Sequence, residues 1–249
     1  MKWIGNIAKI GNSLLTVLAG FLILLLLGYG TYCLYDQWQI SQQGFGSSEL
    51  MKFKPYVDEE EPLSLIELKK INDDVQGWIC IDDTNVDYPL LIGETDFDYL
   101  EKDALGNFVM AGSIFMSHLN NRDLQDMYLV IYGHNLENGS MFGDIVKYND
   151  MKFFNEHRDG YIQGIDETYN MKVFAYMRTD CYNQHVYQPF ENDLNRRNTL
   201  IDYVKEHAIH FEDVEWKDDD KIAVLSTCAE SPTNARAVLY VRLRKRDSK

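Results

Sequence analysis

Ile222-Ala223-Val224-Leu225-Ser226-Thr227-Cys228 is an apolar, β-branched run that ends on a cysteine. A second β-rich run, Arg236-Ala237-Val238-Leu239-Tyr240-Val241, opens on an arginine a short loop later. The simplest reading is two neighbouring antiparallel strands joined by the loop 229–235. That hairpin sets a thiol at the end of one strand and a guanidinium at the start of the next. A nucleophile with a fixed cation beside it suits acyl transfer through a thioester. The missing part is a proton-transfer group. Tyr128-Leu129-Val130-Ile131-Tyr132-Gly133-His134-Asn135 supplies a histidine at the end of another strand-like run.

Composition narrows the rest. A chain of 249 residues has room for one globular domain plus an anchor. With 39 acidic against 24 basic residues the net charge is -15, which argues against nucleic acid as a partner. The basic run Arg242-Leu243-Arg244-Lys245-Arg246 reads as a solvated strand end. Cysteines at 33, 80, 181 and 228 form no C-x-x-C pair, and no H-E-x-x-H occurs. The acidic runs 58–61 and 218–220 lack the ligand spacing of a calcium loop and read as solvated charge. No cofactor and no metal is expected.

Residues 13–35 are almost continuously apolar, enough to cross a bilayer as a helix. Lys2 and Lys9 precede this run and Asp36 follows it, so residues 1–12 are expected in the cytoplasm and the remainder outside. A cleaved signal peptide is the competing reading, and its small-residue cleavage pattern is poor here. Residues 36–61 read as a spacer, with a Gly/Ser/Gln-rich joint at 41–48. Acidic 58–61 ahead of Pro62 predicts a helix over 62–75. Beyond Gly77 the pattern becomes short strands at 78–81, 86–92, 110–116, 127–132, 160–163, 171–178, 221–227 and 237–244. Helical spacing interrupts them at 141–156 and 194–208. The fold expected is mainly β with helices: a closed eight-stranded barrel, which leaves no edge to aggregate.

Leu225-Ser226-Thr227-Cys228 with Arg236 after it and Tyr132-Gly133-His134-Asn135 before it resembles the sortases, membrane-anchored cysteine transpeptidases of Gram-positive cell surfaces. Residues 132–144 and Gly112-Ser113-Ile114-Phe115-Met116 resemble class B in particular. The resemblance covers residues 62–246. It implies a sortase-like catalytic domain over 62–249, with an N-terminal helix and a further helix between strands six and seven. It also implies an extracellular enzyme that cleaves the C-terminal sorting signal of secreted proteins after threonine. The signal would be NPQTN-like or (N/S)PxTG-like. The acceptor would be a cell-wall amine or, in pilus assembly, a pilin lysine.

Three residues are expected to carry the chemistry. Cys228 forms the thioester, His134 serves as general acid and then base, and Arg236 holds the oxyanion or the substrate backbone. Arg242 and Arg244 share the strand parity of Arg236 but lie further from the Cys228 end. By resemblance, Tyr132 and Ser226 line the peptide groove and Leu100 adds an apolar wall; Thr227 belongs with them. The loop 181–190 is expected to read the signal, with His185 on the surface. Some class B members carry an acid directly after the cysteine, whereas this chain has Ala229 and then Glu230. Three other readings stand beside the transpeptidase: a cysteine peptidase, a catalytically silent surface scaffold or adhesin on the same fold, and a tethered structural subunit with Cys228 buried.

Overall fold

The computed structural model describes residues 2–44, 49–56, 62–228 and 234–246; the side chains at 2, 4–10, 40–43 and 228 lie outside that description. Two compact units divide the chain, Met1–Ile40 and Ser41–Lys249. The first is helical. Helix α1, Lys2–Gly44, begins in it, and the stretch Gly11–Gln39 is long and apolar enough to cross a membrane. Its large apolar side chains, Leu14 to Leu27 among them, are exposed. The helix outruns the expected end of the anchor because residues 36–43 hold no Gly or Pro to stop it. Part of the expected flexible joint, 41–44, is therefore helical; 45–48 lie outside the described residues.

In the second unit a 3₁₀ turn, Leu50–Phe53, precedes α2, Leu63–Ile71. The acidic run expected to open α2 lies outside the described residues. α2 buries Leu65 and Leu68 and ends at Ile71, short of the expected 75. Asn72 turns extended there, and its amide donates to the Tyr99 hydroxyl and the Ala104 carbonyl, both at 3.0 Å. Val75 then belongs to the first strand.

The strands are β1 Val75–Ile81, β2 Asp87–Ile92, β3 Ile114–Met116 and β4 Tyr128–Tyr132. After a 3₁₀ turn, Gly143–Asn149, and α3, Met151–Glu156, come β5 Asp159–Gly164 and β6 Thr168–Asp180. α4 Gln184–Tyr187, α5 Leu194–His207 and the two-residue β7 His210–Phe211 lead to β8 Lys221–Cys228 and β9 Ala235–Lys245. Two expected elements are shorter or broken. The strand over 110–116 keeps only its last part, because Gly112 adopts φ +60°. The helix over 141–156 breaks at Asp150, which is extended and whose carboxylate accepts the Phe153 N–H at 2.9 Å as the cap of α3.

Pairing runs β5-β1-β2-β3-β4-β8-β9-β6, and β5 also pairs with β6, so eight strands close on themselves. β7 adds to β6 beside Ala175 and Tyr176, outside that ring. Two junctions are parallel, β2 with β3 and β4 with β8. Side-chain alternation sorts the core. Ile79, Leu90, Ile131, Ile162, Leu225 and Leu239 fill one cluster inside the ring. Tyr128, Val130, Val224 and Tyr240 form another, covered by Val186 of α4 and by Leu200 and Val204 of α5. β8 is thus buried on both faces, which is why it reads as an unbroken apolar run. α5 sits between the sixth and seventh strands of the ring, where the resemblance set it.

In the acidic run 218–220, Asp218 and Asp219 are exposed as expected, but Asp220 is not. Asp220 is fully buried. Its carboxylate accepts Arg244 Nε at 2.8 Å and Nη2 at 2.7 Å, and the Lys217 N–H at 2.8 Å. Burial pushes this carboxyl up, but the Arg244 guanidinium and the Lys217 amide outweigh it and hold the carboxyl below its ordinary value. Arg197 braces the same turn through the carbonyls of Lys217 and Asp220. Replacing Asp220 by alanine strands the Arg244 charge and removes the cap. The unfolding free energy is expected to fall by about 3 kcal/mol, read from the urea midpoint at constant m-value. A loss within a few tenths of a kcal/mol would show that Arg244 escapes to water.

Candidate active site

Strand register brings the predicted residues to one end of the barrel. Parallel β4 and β8 pair Tyr132 with Ser226, and the Gly133 N–H donates to the Ser226 carbonyl at 3.2 Å. His134 follows two residues past the end of β4, and Cys228 ends β8 two residues past Ser226. Antiparallel β8 and β9 pair Cys228 with Arg236. The ends of β4 and β8 and the start of β9 therefore bring the histidine, cysteine and arginine positions to one end of the barrel. Ser226 and Val224 on β8 face the loop 181–190 rather than the barrel interior, and Cys228 is two residues past Ser226 on that strand. Its side chain and residues 229–233, Ala229 and Glu230 among them, lie outside the described residues.

Gly133 is required for space. Its φ is not among the positive ones, so backbone conformation does not demand a glycine there. A Cβ there would meet Ile114 Cδ1 at 2.4 Å and the Phe142 ring at 2.7 Å. The strand end must press against the barrel rim for His134 to emerge beyond it. His134 Nε2 lies 2.8 Å from the Leu100 carbonyl oxygen. A carbonyl only accepts, so Nε2 carries the proton, and Nδ1 holds the lone pair of the neutral ring. The His134 carbonyl in turn accepts the Phe142 N–H at 2.9 Å.

An open cleft of about 410 Å³ takes in this region. Leu100, Tyr132, His134, Ser226, Thr227 and Arg236 all line it. Ser226 is buried, and its hydroxyl shares a 2.9 Å hydrogen bond with the Tyr187 hydroxyl. Thr227 is buried too, and its Oγ1 has no hydrogen-bond partner among the described groups. Arg236 is half-buried and donates from Nη1 to the Ala235 carbonyl at 3.1 Å. Tyr132 lies between the Phe115 ring at 5.6 Å and the Tyr187 ring, stacked at 6.1 Å. Burial pushes its hydroxyl far above the ordinary range, Asp96 adds to that, and Arg236 opposes it.

Several lining residues were not singled out from the sequence. Tyr187 and Cys181 come from the loop 181–190, which was expected to matter as a whole. Asp96, Phe97 and Phe115 complete the wall. Asp96 is one of many acidic residues, and nothing local distinguishes it. His185 is exposed, as expected, and stacks on Tyr203 at 4.6 Å.

No family model matches the chain. It is 33% identical over 168 residues to Sortase B of Listeria monocytogenes, an alignment that covers 66% of either chain and so just under two thirds of that protein's length. It is 31% identical over 180 residues to Sortase B of Staphylococcus aureus, covering 72% of this chain and 73% of that one. Among solved structures, a Staphylococcus aureus sortase B–substrate complex superposes with a TM-score of 0.69 at 29% identity, covering 83% of this chain and 94% of the other. The identity, the coverage and the closed mixed barrel together make this chain a member of the class B sortases, a family of cysteine transpeptidases.

Proposed function

We propose that this chain cleaves a C-terminal sorting signal after threonine, holds the released acyl group as a thioester on Cys228, and passes it to an amine of the cell wall. The observation that carries this reading is that the Cys228 position pairs with Arg236 across β8 and β9, while Arg236 and His134, just past β4, line one open cleft. The Cys228 thiol gives its proton to the lone pair of His134 Nδ1, and the resulting thiolate attacks the threonine carbonyl carbon. The carbonyl oxygen becomes an oxyanion, and the Arg236 guanidinium stabilises it with charged donors in a fixed fork. When the intermediate collapses, the C–N bond breaks and the departing amine takes a proton from His134 Nδ1. The incoming amine later returns a proton to that atom as it attacks the thioester. The Leu100 carbonyl keeps the imidazole from rotating by holding Nε2–H. Tyr132, Ser226 and Thr227 line the peptide path, with Leu100 as its apolar wall. The signal is NPQTN-like or (N/S)PxTG-like. α1 tethers the catalytic domain to the membrane, with the N-terminus in the cytoplasm, as the positive residues before the span favour.

The test uses the full chain in detergent micelles. Quenched peptides with each signal type are incubated with and without an amine nucleophile, with Cys228→Ala alongside. Cleavage after threonine, an amine-capped product, and no turnover by the variant are expected. Free acid as the sole product under every amine tried would make the chain a cysteine peptidase. Capping by a pilin lysine and no wall amine would move it to pilus assembly. No cleavage, with Cys228 inert to thiol reagents in the native protein, would leave the scaffold and structural readings.

A further inference from the structure

The described residues lining the cleft carry two fixed charges, and the second is Asp96. Its side chain is about a third exposed. Oδ1 accepts the His118 N–H at 2.7 Å and the His118 Nδ1–H at 2.9 Å. Among the described residues Oδ2 accepts only a long bond from the Ser117 hydroxyl, at 3.4 Å. One oxygen thus fixes the carboxylate to the loop after β3, and the other keeps acceptor capacity. Phe97, the next residue, also lines the cleft and is 77% exposed. A carboxylate beside an exposed ring fits a long cationic side chain, whose apolar stem covers the ring while its head reaches the carboxylate. The whole chain, at -15, favours the approach of cationic over anionic partners in general.

We infer that Asp96 selects a positively charged group in the substrate, seated against Phe97. The chemistry has two sources, a lysine or arginine of the sorting peptide and a second cationic group on the incoming amine. This inference rests on the proposed reading only in taking the cleft as the substrate groove.

The experiment compares the full chain with Asp96→Asn, which keeps an oxygen for the His118 N–H while removing the charge. In the first arm, donor peptides that differ by Lys, Gln or Glu at one scanned position are followed in single-turnover acylation without amine. In the second, lysine amide and norleucine amide compete as nucleophiles for a fixed donor. In the third, the Lys and Glu peptides are titrated against Cys228→Ala protein with and without Asp96→Asn, reading affinity without turnover. The cationic member is expected to win about tenfold in the first or second arm, to lose that lead in Asp96→Asn, and to lose part of it as salt rises. Equal rates for cationic and neutral or anionic members in the parent, or a ratio unchanged by Asp96→Asn, overturns the inference. Absent cleavage with a cationic preference in the third arm, abolished by Asp96→Asn, would sink the transpeptidase reading and keep this one. Cleavage with no charge preference in any arm would do the reverse.

Discussion

Arg236→Lys is expected to lower kcat by about 10²–10³-fold with little change in KM. The charge survives that substitution, but the geometry does not. Guanidinium donors lie in a plane at fixed angles, and one of them is already engaged by the Ala235 carbonyl. That bond orients the group, so its remaining donors can point at an oxyanion without reorganising. A lysine ammonium is a strongly hydrated point charge on a flexible stem. Were Arg236 chiefly a ground-state clamp on the peptide backbone, KM would rise and kcat would hold. Near-normal kcat/KM in a folded Arg236→Lys protein would remove the residue from the mechanism altogether.

The second large effect comes from a residue outside the cleft lining. Gly112, in the Gly112–Met116 segment that resembled class B, adopts φ +60°. A Cβ there would come within 2.4 Å of the Leu100 carbonyl oxygen and 2.7 Å of the Tyr99 carbonyl oxygen. The Leu100 oxygen is the one that holds His134 Nε2–H. Alanine must therefore displace the His134 acceptor, besides adopting a backbone conformation unfavourable to a side chain. Because a misplacement of about 1 Å can cost two orders of magnitude, kcat for Gly112→Ala should fall about 10²-fold. A merely destabilised protein would lose melting temperature and keep its kcat when folded. The discriminating readout is the imidazole proton itself. The His134 Nε2–H resonance, shielded from exchange by its hydrogen bond, should disappear in Gly112→Ala while the amide spectrum stays dispersed. A retained resonance with a retained kcat would show that the loop absorbs the extra carbon.

How much of this was legible in the sequence depends on whether the cause is local. The β8 and β9 runs declare themselves because both faces of the ring demand apolar side chains there, and the hairpin register follows from their adjacency. His134 was legible because it follows a strand. That it would stand level with Cys228 depends on a parallel pairing between β4 and β8, which no local pattern encodes. The boundaries missed have local causes that lose to tertiary ones. Val75 continues the helical spacing of α2, yet it is captured by β1 once Asn72 turns away to Tyr99 and Ala104. Asp220 and Arg244 look like surface charge until the turn before β8 folds them together. Asp96 has no sequence signature because its meaning comes from Tyr132 and Phe97 beside it.

The parallel pairing of β4 with β8 also has a consequence in time. A polypeptide emerges from the ribosome in sequence order, so β4 and His134 are available long before β8 and β9 exist. Until then, β4 lacks one of its hydrogen-bonding neighbours and the barrel cannot close. Contacts between segments so distant along the chain form slowly, because loop closure must precede any gain from pairing. The strand that completes the wall is β9, the last in the chain, which joins β8 to β6. The residues of β8 and β9 that line the cleft, Ser226, Thr227 and Arg236, thus take their places only as the fold closes.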